Sequence, residues 1–524
     1  MNMSFPGRIP CFTLLLLLAA NRALAQAPGT LDAAFGTAGI ARITFLTYQS
    51  DCKAATLQTD GKIILAGQYL AGGLGNMAFV RLHTNGSPDN SFGSAGQAII
   101  AFNNANVTVS AVCMAAGGKI VVGGNSNNLS TIVRLTSNGA ADNTFGTSGM
   151  VSFDGDVTAL TDLVVLPDGK MVGCGTADQG SGKLFCAFRR NADGSADNTF
   201  GVNGFAYANV GSQPTVTRLA VQPDGKVLLT GTVYSNMTTF YDLVLFRFNA
   251  NGTPDNTFGA NGKVVSVLST NSAYELGNAI ALQQDGKIVA AGRIANTTPA
   301  EFVVARYNAN GVLDNTFGTN GAAKIDFYAG ASALDEAKAV AIQSDGKIIV
   351  GGTALNGSTR EMALARLTKT GALDAGFGTG GKTTTAIGTK VFGDAMVLQP
   401  DGKIVLAGTA TVSSQNQFAA ARYHVGAVLG TSEKNAGLKG LRVYPNPARP
   451  GETIALEFGL AQPGNCRCAL ISLDGRLLLQ YPAQLLHGGN QLVELKIPEG
   501  MPSGQVVLRI ETEAGTTAVP LQLR

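Results

Sequence analysis

The sequence predicts an all-β protein: a seven-bladed β-propeller of four-stranded antiparallel repeats, followed by a small immunoglobulin-like β-sandwich. One short string, first seen as QTDGKIILAG in residues 58–67, returns down the chain at intervals of about 57 residues, giving seven copies. Each unit also holds four short apolar runs, rich in Val, Ile, Leu and Phe and bounded by turn residues, which is the pattern of strands. Long helical patterns are absent, which disfavours helical repeats. Four strands in each of seven units suit a ring of blades.

The first element is a predicted signal peptide, residues 1–25. Arg8 precedes the apolar run CFTLLLLLAA, and Ala23, Leu24 and Ala25 precede Gln26. This is the layout of a secretory signal. The run is too short to span a bilayer, and no other stretch approaches the roughly 20 apolar residues that spanning requires. We therefore expect export through the signal peptide, no transmembrane segment, and a location at the cell surface or outside the cell.

The net charge argues against nucleic acid as a partner. The formal charge of the 524-residue chain is +3. Arg8 and Arg22 lie in the leader and residues 425–440 carry a net +1, so the rest of the chain is balanced. A neutral protein offers no basic face that could release counterions from a phosphate backbone.

The repeated string is predicted to be a hairpin turn in each unit of the propeller, residues 26–424. We expect its Asp-Gly pair to form a two-residue type I′ turn, because Gly takes positive φ at no cost and Asp tolerates it. A hairpin in each unit disfavours a parallel β-helix. The Lys that follows is expected only to begin the next strand. The aspartates that anchor the string are Asp60, Asp168, Asp224, Asp285, Asp345 and Asp401, with a weaker copy at Gly117 and Gly118.

The ends of the repeat region predict closure of the ring. A motif with Phe-Gly follows the last strand of every other unit, whereas the seventh unit stops at His424 and the N-terminus holds a spare motif at residues 31–39. We therefore expect Leu31 to Phe45 to dock beside the strand that carries Arg422.

An Arg and an Asp recur once in each unit, the Asp just before the Phe-Gly pair. They could form seven binding sites, or an Arg–carboxylate clamp that holds the connection between blades, with the Phe as an apolar plug. We favour the clamp. The arginines are Arg81, Arg134, Arg189, Arg247, Arg306, Arg366 and Arg422, and the aspartates are Asp32, Asp89, Asp142, Asp197, Asp255, Asp314 and Asp374.

The repeat pattern resembles a known family. DGKIVxAG followed by xxxARYNxxGxLDxxFGxxG is similar to the delta-60 repeat family of bacterial exported proteins, over roughly residues 30–424. The resemblance implies a propeller-like architecture and no established activity.

The composition changes after the repeats, where residues 425–440 read as a linker and residues 441–524 as a small antiparallel sandwich. The last stretch is similar to the type A C-terminal sorting domain of Bacteroidetes type IX secretion. That resemblance implies the type IX secretion machinery as a partner. An ordinary immunoglobulin-like accessory module is the alternative. The residues that match the sorting motif include Tyr444, Pro445, Asn446, Pro447, Gly475 and Gly504.

Residues for chemistry are scarce, and we predict no catalytic residue, no cofactor and no metal site. The sequence has three His and lacks the serine-hydrolase elbow, the zinc-protease motif and the P-loop. Asp154, Asp156 and Asp162 form a loose acidic group that could hold calcium, but a solvated loop is favoured. Cys174 and Cys186 could form a disulfide, but we favour buried filler.

The turn geometry predicts where binding would occur. In an antiparallel meander, alternate connections share a face, so the Asp-Gly turns and Phe-Gly links form a constant face and the variable segments form the opposite, variable face. Variable loops on a rigid scaffold usually carry recognition. We expect a monomer with a binding or adhesive role toward an extracellular glycan or protein; a glycan-active enzyme using paired carboxylates and a purely structural component are the alternatives. The candidate binding residues are Tyr48, Tyr234, Tyr241, Tyr274, Tyr328, Asp335 and Glu336.

Overall fold

A computed structural model of the chain describes residues 27–45, 48–71, 74–102, 107–127, 129–153, 157–180, 182–235, 240–268, 274–295, 299–328, 334–399, 401–425, 438–460, 462–472, 477–501, 504–512 and 515–524. The predicted signal peptide, residues 426–437 of the predicted linker, and Gly475 lie outside these ranges. Among the described residues, no helix combines the length and the hydrophobicity needed to span a membrane.

The described strands between Ile40 and His424 form the seven four-stranded antiparallel blades that the sequence predicts. Blades 1 to 6 take four consecutive strands each, starting at β2, and blade 7 joins β26, β27 and β28 to β1. A short 3-10 turn, Ala116–Gly118, replaces the Asp-Gly turn of blade 2. The strands are β1 (Ile40–Ile43); β2 (Gln49–Leu57), β3 (Ile63–Ala71), β4 (Leu74–Leu82) and β5 (Gln97–Ile100); β6 (Val107–Met114), β7 (Ile120–Ser126), β8 (Leu129–Leu135) and β9 (Met150–Phe153); β10 (Val157–Val165), β11 (Met171–Asp178), β12 (Lys183–Arg190) and β13 (Phe205–Ala208); β14 (Ser212–Val221), β15 (Val227–Tyr234), β16 (Tyr241–Phe248) and β17 (Lys263–Ser266); β18 (Tyr274–Leu282), β19 (Ile288–Ala295), β20 (Ala300–Tyr307) and β21 (Ala322–Ile325); β22 (Glu336–Ile342), β23 (Ile348–Asn356), β24 (Thr359–Leu367) and β25 (Lys382–Thr385); β26 (Lys390–Leu398), β27 (Lys403–Val412) and β28 (Gln415–His424).

The N-terminal segment closes the ring, as the sequence predicts. β1 pairs antiparallel with β28, in a register that runs from Ile40 opposite Ala421 to Ile43 opposite Phe418. Just before β1, the carboxylate of Asp32 accepts a hydrogen bond from Arg422 Nε at 2.9 Å. The first and last parts of the repeat region therefore share one blade.

Neighbouring blades pack face to face, which explains why the middle strands are apolar on both sides. In β15 every residue from Val227 to Val233 is buried. One apolar cluster contains Phe185 of blade 3 together with Val244 of blade 4. A strand that is covered on both faces needs a continuous apolar run rather than an alternating one. The run KIILAG and its relatives are therefore core segments, and the burial of apolar area there stabilises the ring.

The Asp-Gly turn differs from the predicted two-residue type I′ turn. The amide of Gly61 donates to Gln58 O at 2.9 Å, and the amide of Gln58 donates to Lys62 O at 2.8 Å. Thr59, Asp60 and Gly61 therefore form a three-residue loop in which Gly61 takes positive φ, 82°. This is a type I turn followed by a left-handed Gly. Asp60 Oδ1 accepts from the amide of Lys62 at 3.1 Å, so the Asp side chain caps the turn without itself adopting positive φ.

The first strand of each blade carries a β-bulge at the same place. In β2 the register shifts between Cys52 and Ala54, so Lys53 is the extra residue. Gly67, the last residue of the repeated string, faces the bulge, and a Cβ there would lie 1.9 Å from Asp51 O. Only Gly fits this approach, which explains why every copy of the string ends in Gly. The bulged residues are Lys53, Ser110, Thr161, Thr217, Asn278, Lys338 and Asp394.

The C-terminal region contains two antiparallel sheets that enclose one apolar core. Leu456 and Val493 of the first sheet belong to the same cluster as Leu470 and Leu508 of the second. The immunoglobulin-like connection of these strands stays a prediction. The first sheet contains β29 (Leu438–Tyr444), β30 (Thr453–Leu460) and β34 (Gly489–Lys496), and the second contains β31 (Gly464–Ser472), β32 (Leu477–Gln480), β33 (Gln484–Leu486), β35 (Gly504–Thr512) and β36 (Gly515–Leu523).

Candidate functional site

On the constant face, each blade holds an aspartate between two cations, and six of the seven aspartates are buried. In blade 5, Asp314 Oδ2 lies 2.8 Å from Arg306 Nε and 3.0 Å from Lys287 Nζ. Thr316 Oγ1 donates to the other carboxylate oxygen at 2.6 Å. Lys287 is the lysine of the repeated string, so this lysine does more than begin a strand: it is the third member of the clamp. The sequence prediction for the string's lysine is wrong on this point.

The clamp of one Arg, one Lys and one Asp recurs in all seven blades. In blade 7 it joins Arg422 and Lys403 to Asp32 and so also closes the ring. The other members, in chain order, are Arg81, Lys62 and Asp89; Arg134, Lys119 and Asp142; Arg189, Lys170 and Asp197; Arg247, Lys226 and Asp255; and Arg366, Lys347 and Asp374.

Each arginine of the clamp also reaches the next blade. Arg189 Nη1 donates to Ala250 O, in the turn that follows the third strand of blade 4, at 2.7 Å. The guanidinium of Arg247 lies 4.4 Å from the ring centre of Phe258, the fully buried Phe of its Phe-Gly motif. The arginine thus satisfies a buried carboxylate, a backbone carbonyl and an aromatic face together. These contacts lie inside the ring, and they make the arginine a structural part of the connection between blades.

The clamp carboxylates are ionised at neutral pH. The pKa of Asp142 lies well below its ordinary value because Lys119 and Thr144 donate hydrogen bonds to its carboxylate, and these outweigh the effect of burial. Stabilisation of the charged form by donors and nearby cations is the usual cause of such a shift.

On the variable face, three of the predicted tyrosines lie together. Tyr234 and Tyr241 are a cross-strand pair at the end of the β15–β16 hairpin, with ring centres 5.5 Å apart. Tyr274, which begins β18 in blade 5, stacks on Tyr241 at 5.8 Å and on Phe240 at 5.2 Å. We call Tyr234, Phe240, Tyr241 and Tyr274 the aromatic cluster. All four side chains are partly exposed.

Phe240 is the member of the aromatic cluster that sequence reasoning missed. It has a positive φ of 49° and lies nearly parallel to Tyr274, with an interplanar angle of 14°. A bulky residue with positive φ is unusual outside turns and marks a tightly constrained position. The signal available in the sequence was the Phe-Tyr pair at the start of a strand whose counterparts in other repeats lack aromatic residues.

The other predicted binding residues lie elsewhere. Tyr48, 39% exposed, contacts Tyr69 in blade 1. Tyr328 donates its hydroxyl to Glu361, and burial raises its pKa. Glu336 accepts a hydrogen bond from Lys338 Nζ at 2.7 Å.

Asp335 corrects a prediction, because it is unavailable to a ligand. It is fully buried, and its two carboxylate oxygens accept from the amides of Phe327 at 2.9 Å and Leu355 at 3.0 Å. Burial raises its pKa. Asp335 therefore joins the loop before β22 to the hairpin of blade 6.

The first strands of all seven blades line a central cavity of about 280 Å³. Asp162 lies on its wall in β10, and not in a solvated loop as the sequence suggested; Asp154 and Asp156 lie outside the described residues. The charged side chains on the wall are Lys53, Asp162, Arg218, Lys338 and Asp394.

The described residues contain no group of three or more His, Cys, Asp or Glu side chains placed to hold a metal ion. Cys174 and Cys186 are buried and are not joined by a disulfide. In the C-terminal region, Asn446 Oδ1 accepts from the amide of Gln522 at 2.9 Å, and Gly504 begins β35.

Seven blades, each closed by the same clamp, define this chain as a β-propeller repeat protein. Seven of its segments match the family described as "Domain of unknown function (DUF5122) beta-propeller", to which the delta-60 repeat is related. The matched segments are residues 58–92, 118–145, 166–200, 222–258, 283–317, 343–377 and 399–425.

Solved structures with a similar fold have very different sequences. A fungal alcohol oxidase of the AA5 family in complex with copper is 13% identical, with 92% of this chain and 98% of that chain covered and a TM-score of 0.46. A catalytically inactive virginiamycin B lyase from Staphylococcus aureus with quinupristin is 10% identical, covering 73% and 98%, with a TM-score of 0.42. Sqt1 from Chaetomium thermophilum is 10% identical, covering 78% and 94%, with a TM-score of 0.41. A search of curated proteins found no significant match. At this level of similarity, none of these structures informs the function.

Proposed function

We propose that this protein is an exported propeller that binds an extracellular glycan or protein through its variable face. The aromatic cluster at the junction of blades 4 and 5 is the observation that carries the proposal. Delivery to the cell surface or the medium would depend on the signal peptide and on a type IX C-terminal sorting domain at residues 441–524.

The two faces of the ring differ in what they can offer a ligand. On the constant face, each blade repeats one Arg, Lys and Asp clamp, whose charged groups are paired with one another. A surface of seven equal, saturated units supplies little that could distinguish one ligand from another. The variable face differs from blade to blade, and specificity requires such differences.

Partly exposed tyrosines suit recognition because one side of each ring is apolar and the hydroxyl is polar. The cluster is also preorganised, since Tyr274 is stacked between two rings and the Tyr241 hydroxyl donates to Gln213 Oε1 at 2.9 Å. Side chains already held in place lose little conformational entropy when a ligand binds. Sugars with apolar faces and peptide segments are the ligand classes that match this chemistry.

Binding can be tested with the full-length protein on glycan arrays and in pull-downs from extracellular material, followed by affinity measurements on any ligand found. Tyr241→Ala and Tyr274→Ala should each raise Kd by roughly tenfold or more, the effect of removing a central aromatic contact. Tyr444→Ala is the matched control, because Tyr444 is an exposed tyrosine of the C-terminal region, outside the propeller. Absence of any ligand, or an equal loss in all three variants, would contradict the proposal.

Export is tested separately by deleting residues 441–524 in the native host and measuring the protein at the cell surface and in the medium. The proposal predicts that the truncated protein is retained inside the envelope. Unchanged surface delivery would refute the sorting role and favour an accessory module.

A further inference from the structure

Six of the seven bulged residues at the centre of the ring fall into two groups; the seventh, Thr161 of blade 3, is neutral and donates to Cys174 O of its own blade. In blades 2, 4 and 5 they are neutral, and each donates from its side chain to the carbonyl oxygen that precedes the bulge of the next blade. A repeated bond of this kind joins adjacent blades around the cavity and is structural. The bonds run from Ser110 to Leu160, from Thr217 to Gly277 and from Asn278 to Ala337.

In blades 6, 7 and 1 the bulged residues are Lys338, Asp394 and Lys53, and their contacts differ. Lys53 Nζ lies 3.3 Å from Asp394 Oδ2, and Lys338 Nζ lies 2.7 Å from Glu336 Oε1. Placing charges in a partly enclosed site carries a desolvation cost that the neutral residues of the other blades avoid. Joining adjacent blades does not require charged side chains, because Ser110, Thr217 and Asn278 join them with neutral ones.

The hydrogen-bond donors on the cavity wall exceed what its carboxylates use. An ammonium has three donors and a guanidinium has five. Among the described contacts, Lys53 and Lys338 each meet one carboxylate, and Arg218 donates only through Nη1, to Thr161 O and Thr217 O. Three cations and two carboxylates line the cavity, and Glu336 holds one of the cations, Lys338, from just outside it. Hydrogen-bond donors, and not net charge, are therefore in excess at this wall.

The two wall carboxylates have partners already. Asp162 accepts from the amides of Leu163 at 3.0 Å and Leu219 at 2.9 Å, and Asp394 faces Lys53. Burial acts to lower the pKa of Lys53, but the carboxylates of Asp394 and Asp51 outweigh it and the pKa is raised. The ammonium is therefore charged at neutral pH, and it keeps hydrogen-bond donors that Asp394 does not use.

The size of the cavity limits the ligand. About 280 Å³ lies at the lower end of the volumes of small-molecule sites, which run from about 300 to 1,000 Å³. It is large enough for one small molecule.

We propose that the central cavity binds a single small carboxylate anion, held by Lys53, Lys338 and Arg218. This site is separate from the aromatic cluster, and it stands whether or not the variable face binds a ligand.

The test is isothermal titration calorimetry on the full-length protein with glucuronate, with neutral glucose as the comparison. We expect glucuronate to bind and glucose not to bind. Lys53→Met and Lys338→Met keep most of the side-chain volume and remove the charge, and each should raise Kd by about tenfold or more. Lys324→Met is the matched control, because Lys324 is an exposed lysine on the outer strand of blade 5.

Asp394→Asn provides a change of opposite sign. It releases Lys53 from Asp394 and removes one negative charge from the wall, so glucuronate should bind roughly severalfold more tightly. Thermal unfolding of each variant establishes that it is folded. If Lys53→Met does not fold, the wild-type protein still gives a test, since binding must weaken as salt concentration rises.

Several results would overturn the proposal: equal binding of glucose and glucuronate, an unchanged Kd in folded Lys53→Met and Lys338→Met, or weaker binding in Asp394→Asn. Absence of binding to both glucuronate and acetate would overturn it as well. Binding of phosphate without binding of either carboxylate would exclude the carboxylate class. Loss of glucuronate binding in Tyr274→Ala would show that the two sites are not separate.

Discussion

The constant and variable faces of this propeller are each built from two connections per blade, but the side chains on these connections differ in how far they are paired with one another. On the constant face, a lysine from one turn and an arginine from the third strand hold the aspartate of the next link, as Lys287, Arg306 and Asp314 do. On the variable face, the described loops differ from blade to blade, and blades 4 and 5 build the partly exposed aromatic cluster. Where the repeats agree, the side chains satisfy one another. Where they differ, groups are left partly exposed, and the function is expected there.

The largest expected effect concerns the glycine that faces each bulge. A Cβ at Gly292 would lie 1.7 Å from Leu276 O, so the backbone of blade 5 must move to accept any side chain. Gly292→Ala should destabilise the protein by about 3 kcal/mol or more, as strained core changes do. Chemical denaturation measures this. Gly500→Ala is the control, because no atom lies within 4 Å of the added carbon, and it should change stability by at most about 0.5 kcal/mol. Equal effects of the two changes would show that the bulge does not require Gly.

The next effect separates the two cations of the clamp. Arg306→Met leaves Asp314 buried with one cation and removes the bond to the next blade, so we expect a loss of about 3 kcal/mol. Lys287→Met should cost only about 1 kcal/mol, because this side chain is partly exposed and screened by solvent. Denaturation midpoints of both variants give the comparison. A larger loss for Lys287→Met would reverse the ranking and make the lysine the main partner.

Acid should destabilise the protein by protonating the clamp aspartates of the constant face. The folded pKa of Asp142 is lowered by Lys119 and Thr144, whereas an unfolded Asp titrates near about 3.9. A lowered folded pKa stabilises the protein above the unfolded pKa, and this stabilisation is lost as pH falls toward the folded value. The urea midpoint should therefore stay level down to about pH 5 and fall steeply below about pH 4. Asp142→Asn should show a shallower fall, and a midpoint that ignores pH in this range would contradict the role of the clamp.

The sequence was sufficient for what depends on repetition. Seven copies of one string, four apolar runs per copy and the spare motif near Leu31 predict the blades, their direction and the pairing of β1 with β28. The lysine of the clamp was missed because a lysine after a turn is compatible with simple exposure. Its partner Asp314 lies on a different connection of the same blade, so the contact does not show in the repeated string. The turn type was wrong because a three-residue loop and a two-residue loop share the Asp-Gly pair.

The site was predicted less well, because it depends on contacts between segments that do not repeat. Tyr234, Tyr241 and Tyr274 are predicted from their places in variable segments, and only their packing shows that they form one cluster. Asp335 also lies in a variable segment, yet it is buried against backbone amides. The charged wall of the central cavity is not predictable from the repeated string, because the string ends in the same Gly in every copy and does not determine which residue forms the bulge opposite that Gly.

The most direct measurement compares two full-length variants, Tyr274→Ala on the variable face and Lys226→Met on the constant face. Both the thermal stability and the affinity for the ligand of the variable face are measured for each. Tyr274→Ala should lose roughly tenfold or more in affinity with a small change in Tm. Lys226→Met should bind normally below its Tm, but the Tm should fall because Asp255 loses a partner at 3.1 Å. Reduced affinity in Lys226→Met with normal binding in Tyr274→Ala would contradict the division of the molecule into a structural face and a recognition face.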